Sequence, residues 1–120
     1  MKNILIISGD INEITNLRKL FGEDFKVSGS NSASNAFAMM QRSLPDLVFC
    51  HFGADMSLLF DFYKKVRSTP ATAKLPLVFV VNDAALKIIS NNIVFDNAKA
   101  ALAPLTKQSV KGLNDYFLSA

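Results

Sequence analysis

The sequence predicts an α/β fold, a five-stranded parallel sheet with helices on both faces, and three observations predict it. Short apolar runs alternate with stretches of helical periodicity along the chain. The apolar runs are continuous, with no alternation of apolar and polar residues, as strands buried on both faces require. Gly, Pro, Ser and Asn punctuate the boundaries between the two kinds of segment.

The first strand is Ile4-Leu5-Ile6-Ile7, ended by Ser8-Gly9-Asp10. Ile14, Leu17 and Phe21 then recur at helical spacing, with Leu20 beside them and Gly22 as a stop. Phe25-Lys26-Val27 is a brief second strand. A helix is expected over Ser34–Ser43, around Ala36, Phe37 and Met40, with Pro45 beyond its end. Leu47-Val48-Phe49-Cys50 is the third strand, and Leu59, Phe62 and Val66 mark the next helix, which Thr69-Pro70 breaks. Leu77-Val78-Phe79-Val80-Val81 is the strongest strand signal in the chain. Asn82 or Asp83 can cap the helix after it, whose apolar positions are Leu86, Ile89 and Ile93. Ala100-Ala101-Leu102 is a short fifth strand, and Thr106 caps a last helix with Val110, Leu113 and Phe117 on one side.

Strands joined by crossover helices run parallel, and the helices cover both faces of their sheet. Sites in such sheets lie beyond the carboxyl ends of the strands. Here those ends are Ser8-Gly9-Asp10, His51-Phe52-Gly53, Val81-Asn82-Asp83 and Ala103-Pro104, and chemistry is to be sought at these four corners.

Composition narrows the classes. At 120 residues, half of them hydrophobic, the chain has room for one domain over 1–120 with a real core. No apolar run is long enough to span a bilayer. The one cysteine, Cys50, allows no internal disulfide, and a cytoplasmic location is expected. Inside an apolar strand, Cys50 is expected to be an inert buried thiol. The net charge of +3 comes from scattered basic residues, with Lys64, Lys65 and Arg67 as the only local cluster. That cluster reads as a solvated helix face, so neither a nucleic acid nor a membrane is the expected partner.

The order and spacing of several segments resemble the response-regulator receiver family over nearly the whole chain. Ile4-Leu5-Ile6-Ile7 through Phe21 looks like that family's opening strand and helix. Leu44-Pro45-Asp46-Leu47-Val48 is similar to its approach to the phosphorylated strand, and Leu75-Pro76-Leu77-Val78-Phe79 to its fourth strand. Leu102-Ala103-Pro104-Leu105 looks like the Lys-Pro turn that ends the fifth. The resemblance implies a flavodoxin-like receiver fold and a cytoplasmic signalling role in two-component or phosphorelay transduction, without enzymatic activity of its own.

The family's chemistry needs two adjacent carboxylates for a divalent cation, an aspartate as phosphoacceptor, a Thr or Ser, and a lysine that neutralises the transferred oxygens. Carried over by position, the carboxylate pair falls on Ser8 and Gly9, with Asp10 one place late. The phosphoacceptor falls on His51, the Thr/Ser on Val81 and the lysine on Ala103. Pro104 alone remains of the closing motif, and the family's aromatic switch position corresponds to Ala100. Mg²⁺ binding is therefore expected to be weak or absent, and no cofactor is expected. The implied protein is a degenerate, phosphorylation-independent receiver, a pseudo-receiver.

The same residues admit other readings. His51 or Asp10 could serve as an atypical phosphoacceptor. The simpler expectation is that His51 fills the vacated acidic hole as a hydrogen-bonded residue, with Asp10 the acid in reach. Two candidate ligands fall short of a transition-metal site. Asp55 reads as an exposed loop acid, and Asp46 as structural or solvated at the opposite end of the sheet. Phe60 and Phe62 lie on different helix faces, so one of them is expected at the surface. The resemblance places the partner-binding face on helix four, strand five and helix five. There Ile88 and Phe95 would form an apolar patch with Leu86, Ile89, Ile93 and Val94, flanked by Lys87, Lys99, Lys107 and Lys111. A signalling protein, or a second copy of the chain, is the expected partner at that face.

Overall fold

The computed structural model describes residues 2–53, 55–92 and 97–118. Strands and helices alternate as β1 (Lys2–Ser8), α1 (Ile11–Phe21), β2 (Phe25–Ser30), α2 (Ala33–Arg42), β3 (Leu47–His51), α3 (Met56–Ser68), β4 (Leu77–Val81), α4 (Asp83–Asn92), β5 (Ala98–Leu102) and α5 (Lys107–Leu118). The strands form one parallel sheet in the order β2-β1-β3-β4-β5.

Alternation along each strand divides the core into two layers, because successive side chains point to opposite faces. Leu5, Ile7, Val48, Cys50, Leu77, Phe79 and Val81 pack with Phe37 and Met40 of α2, Leu59, Phe62 and Val66 of α3, and Ala85 and Ile89 of α4. Ile4, Ile6, Leu47, Phe49, Val78 and Val80 pack on the other face with Ile14, Leu17 and Phe21 of α1 and Val110 of α5. Both faces of the central strands are therefore dry, which is why their sequences read as unbroken apolar runs.

Caps set most helix boundaries. Asp10 accepts from the Asn12 amide at the start of α1, and Gly22, with φ of 74°, closes its end. Ser32 accepts from Asn35 N, so α2 opens at Ala33, one residue before the expected Ser34. Asn82, not Asp83, caps α4 by accepting from Ala85 N at 2.8 Å. Thr106 Oγ1 accepts from Ser109 N while Ser109 Oγ accepts from Thr106 N, a reciprocal cap that starts α5.

Some expectations are corrected by pairing and packing. β2 continues through Ser28-Gly29-Ser30, residues of low strand propensity, because each pairs in register with β1. β5 begins at Ala98 for the same reason, with Ala98 opposite Leu77. Phe60 does not go to the surface; it is half-buried against the core beside the buried Phe62. Arg67 is no part of a solvated face. Its guanidinium donates to the Leu75 carbonyl at 2.8 Å and the Asn97 carbonyl at 3.0 Å, tying α3 to the segments that lead into β4 and β5. Lys65 lies over the Phe37 ring of α2.

Candidate functional site

The carboxyl ends of β1 and β3 lie side by side, with Ser8 opposite His51 in the register. The period of two then decides where these side chains go. His51 shares its parity with Leu47 and Phe49, and Ser8 with Ile4 and Ile6, so both belong to the face covered by α1. His51 meets the first turn of that helix. Its Nδ1 lies 2.6 and 2.5 Å from the two carboxylate oxygens of Glu13. Both side chains are mostly shielded, at 28% and 22% exposure.

The acid beside His51 is thus Glu13, which corrects the expected pairing with Asp10. Asp10 is engaged instead as the helix cap, and its own amide donates to the buried Ser8 hydroxyl at 3.1 Å. The spacing of an N-cap Asp10 and a Glu13 three residues on is the sequence signature of a capping box. That signature was the available signal that Asp10 would be spent on the helix. In an ordinary capping box the glutamate would turn back to the cap; here it turns to His51.

At the remaining corners Val81 and Ala103 hold no charge. Val81 is fully buried, on the face opposite His51, and its carbonyl accepts from the Ala103 amide at 2.9 Å. Ala103 precedes Pro104 through a cis peptide bond and packs against the α1–α5 layer. Ala100 lies opposite Phe79 and packs against the other layer. Gly9 is exposed, and a Cβ built on it would meet nothing within 4 Å.

An open cleft of about 590 Å³ lies over these ends, bordered by Gly9, Glu13, His51, Phe52 and the start of α2 at Ser32. A hard divalent cation prefers several oxygen ligands at once. The donor set here does not supply them, since one Asp10 oxygen is on a helix amide and both Glu13 oxygens face an imidazole. Among the described residues, no group of three or more His, Cys, Asp or Glu side chains is placed to hold a metal ion. The residues do not fit the cation that the resemblance implies.

Two further acids and the cysteine have structural roles. Asp55 caps α3 through Leu58 N. Asp46, at the far end of the sheet, accepts from Asn3 N at 2.6 Å and returns its own amide to the Asn3 carbonyl. Cys50 is buried, and burial pushes its thiol well above the usual range.

The expected apolar patch on the face of α4, β5 and α5 is described only in part. Ile89 is buried and Leu86 half-buried against the core. Ile93, Val94 and Phe95 lie outside the described residues. The exposed large apolar side chains here are Ile88, Leu102 and Tyr116. Lys87 and Lys107 are exposed, Lys99 stands over the Tyr116 ring at 3.8 Å, and Lys111 faces Asp115 one helical turn on at 3.6 Å. No helix among the described residues is long and apolar enough to cross a membrane.

No family model matches the sequence, and no curated protein matches it. Solved structures do. A Chloroflexus aurantiacus protein described as a response regulator superposes with a TM-score of 0.81 at 18% identity, over 99% of this chain and 98% of that one. A two-component response regulator of Clostridium difficile gives 0.77 at 19% identity, over 98% and 96% of the two chains. A chemotaxis response regulator of Vibrio cholerae gives 0.77 at 14%, over 98% and 99%. At these identities the likeness concerns the backbone, and this chain has the flavodoxin-like fold of response-regulator receivers from end to end.

Proposed function

We propose that this protein is a receiver-like signalling domain that works by docking to a protein partner, without accepting a phosphoryl group and without catalysis of its own. One observation carries the reading: at the strand ends where receiver chemistry would sit, His51 is held by Glu13, and Val81, Ala103 and Gly9 offer no charge or donor group. An incoming phosphoryl group would meet Asp10 and Glu13 with neither a lysine nor a metal to offset its charge. Mg²⁺ binding at this end is correspondingly weak in this reading.

Docking falls to the α4–β5–α5 face, which carries the exposed Ile88, Leu102 and Tyr116 together with Lys87, Lys107 and Lys99, the last over the Tyr116 ring. Exposed apolar side chains bordered by cations suit an acidic, amphipathic protein surface, or a second copy of the chain. A location in the cytoplasm and a place in two-component signalling belong to the same proposal.

Intact-mass spectrometry after incubation with acetyl phosphate and Mg²⁺ tests it, and an unchanged mass is expected. Loss of partner capture or self-association in an Ile88→Glu, Lys99→Glu variant would support the docking face.

A second reading rests on the geometry of His51. Glu13 occupies Nδ1, and Nε2 has no hydrogen-bond partner among the described residues. An imidazole oriented this way can act as a nucleophile. An acid-labile phosphoryl adduct, lost on His51→Asn, would establish this reading and overturn the first.

A further inference from the structure

The Glu13–His51 contact also stands where two cavities adjoin. The cleft of about 590 Å³ is bordered by both residues. A second cavity of about 280 Å³ lies between α1 and the turn after β5, and is bordered by Asp10, Glu13, Leu17, Leu20, Pro104 and Leu105. Asp10 and Glu13 both belong to the two walls, whereas His51 borders the larger cavity alone; Asp10 is fixed as the cap of α1, which leaves Glu13 as the shared side chain held by a tertiary contact. The loops on either side are permissive: Gly9 follows β1 with nothing near its missing Cβ, and Gly53 follows β3 with φ of 66°.

We propose that Glu13 is a latch. Pinned to His51, its side chain ties the first turn of α1 to the tip of β3 and keeps the two cavities apart. Released, it swings off its part of the shared wall and opens a passage beside the fixed Asp10, linking the cleft at Ser32 before α2 with the cavity at Leu105 before α5. The bias toward the closed arrangement is the contact itself, a charge-assisted bond held out of bulk water. A basic side chain presented at the mouth of the smaller cavity would compete with His51 for the carboxylate and open the latch. This device acts at the carboxyl end of the sheet and does not depend on which surface the signalling partner uses.

Amide hydrogen exchange and ¹H–¹⁵N NMR of the full chain test it, comparing the wild type with Glu13→Gln and, separately, His51→Asn. Release of the latch should raise exchange at Ile14 and Phe52 about tenfold, the factor a charge-assisted hydrogen bond supplies. It should also shift the amides of both Ser32–Ser34 and Leu105–Thr106, while exchange in the middle of β4, at Val78–Val80, stays as in the wild type. Shifts confined to one cavity would overturn the proposal. So would a rise that includes β4, because it would mean that the contact only adds to global stability. Two variants with different side chains keep the test open should one of them fail to fold. Acetyl phosphate is absent from the experiment, so its outcome is separate from that of the mass measurement.

Discussion

Glu13 on α1 and His51 at the tip of β3 face each other with both carboxylate oxygens, at 2.6 and 2.5 Å, on one imidazole nitrogen. In the proposed reading His51 stands where a receiver would carry its phosphoryl-accepting aspartate, and Glu13 engages one of its ring nitrogens. That contact depends on side chains and not on the backbone, and this leads to the first prediction.

Replacing His51→Asp and Gly9→Asp together should create a divalent-cation site. The change frees Glu13, and a side chain at Gly9 meets no atom within 4 Å. Carboxylates from the turn after β1, from α1 and from β3 would then converge, as Mg²⁺ requires. Calorimetry should show saturable Mg²⁺ binding by the double variant, together with line broadening near Asp10 by Mn²⁺. An inert double variant would mean that the backbone, too, has departed from a metal-binding geometry.

Arg67 is the second test, because its fork bonds two carbonyls on different segments. Arg67→Ala should cost about 1–3 kcal/mol in urea unfolding, the range for removing hydrogen bonds to a charged group. Arg67→Lys should restore little of the loss, since a single ammonium cannot span both acceptors as a guanidinium does. Full rescue by lysine would show that charge alone matters here.

Gly29 allows β2 and α1 to approach. A Cβ at this position would lie 2.7 Å from Cγ2 of the buried Ile14, whose branched side chain has little room to yield. Gly29→Ala should destabilise the protein by about 1–3 kcal/mol, as overpacking does. In the Ile14→Ala background the same change should cost far less, a coupling measurable by a double-mutant cycle.

Cys50 predicts a pH dependence of known sign. Burial raises its pKa in the folded protein above the ordinary thiol value of about 8.5 that an unfolded chain keeps. Well below that value the thiol is protonated in both states and contributes no slope. Above it, the unfolded chain loses the proton first, and stability falls by up to about 1.4 kcal/mol per pH unit. Stability should fall less between about pH 7 and about pH 10 for Cys50→Ala than for the wild type, as unfolding curves would show. In the native state at the lower pH, the thiol should resist thiol-specific reagents until the protein unfolds.

Much of the fold was legible because its strands are buried on both faces. The unbroken runs at Ile4–Ile7, Leu47–Cys50 and Leu77–Val81 can satisfy no other environment, and the buried triads Ile14, Leu17, Phe21 and Leu59, Phe62, Val66 keep helical spacing. Edge strands were less legible. Ser28-Gly29-Ser30 and Ala98-Lys99 have little intrinsic strand preference and are held by pairing with a neighbour.

The site divides in the same way. Residue identities alone placed Ser8, Gly9, His51, Val81, Ala103 and Pro104 at the strand ends, because a parallel α/β order puts those ends together. Which acid meets His51 was a matter of geometry. Asp10 is nearer the end of β1 in sequence, but capping an orphan helix amide claims its carboxylate. Glu13, three residues further on, reaches His51 only because strand parity turns that imidazole toward α1. Arg67 followed the same rule: its sequence neighbours suggest a solvated cation, and only the approach of Leu75 and Asn97 makes it a tie between elements. Local pattern determined the layers of this protein, because burial acts on every residue of a strand. Tertiary structure decided the polar contacts, because a charged group takes whichever partner the packed layers bring within reach.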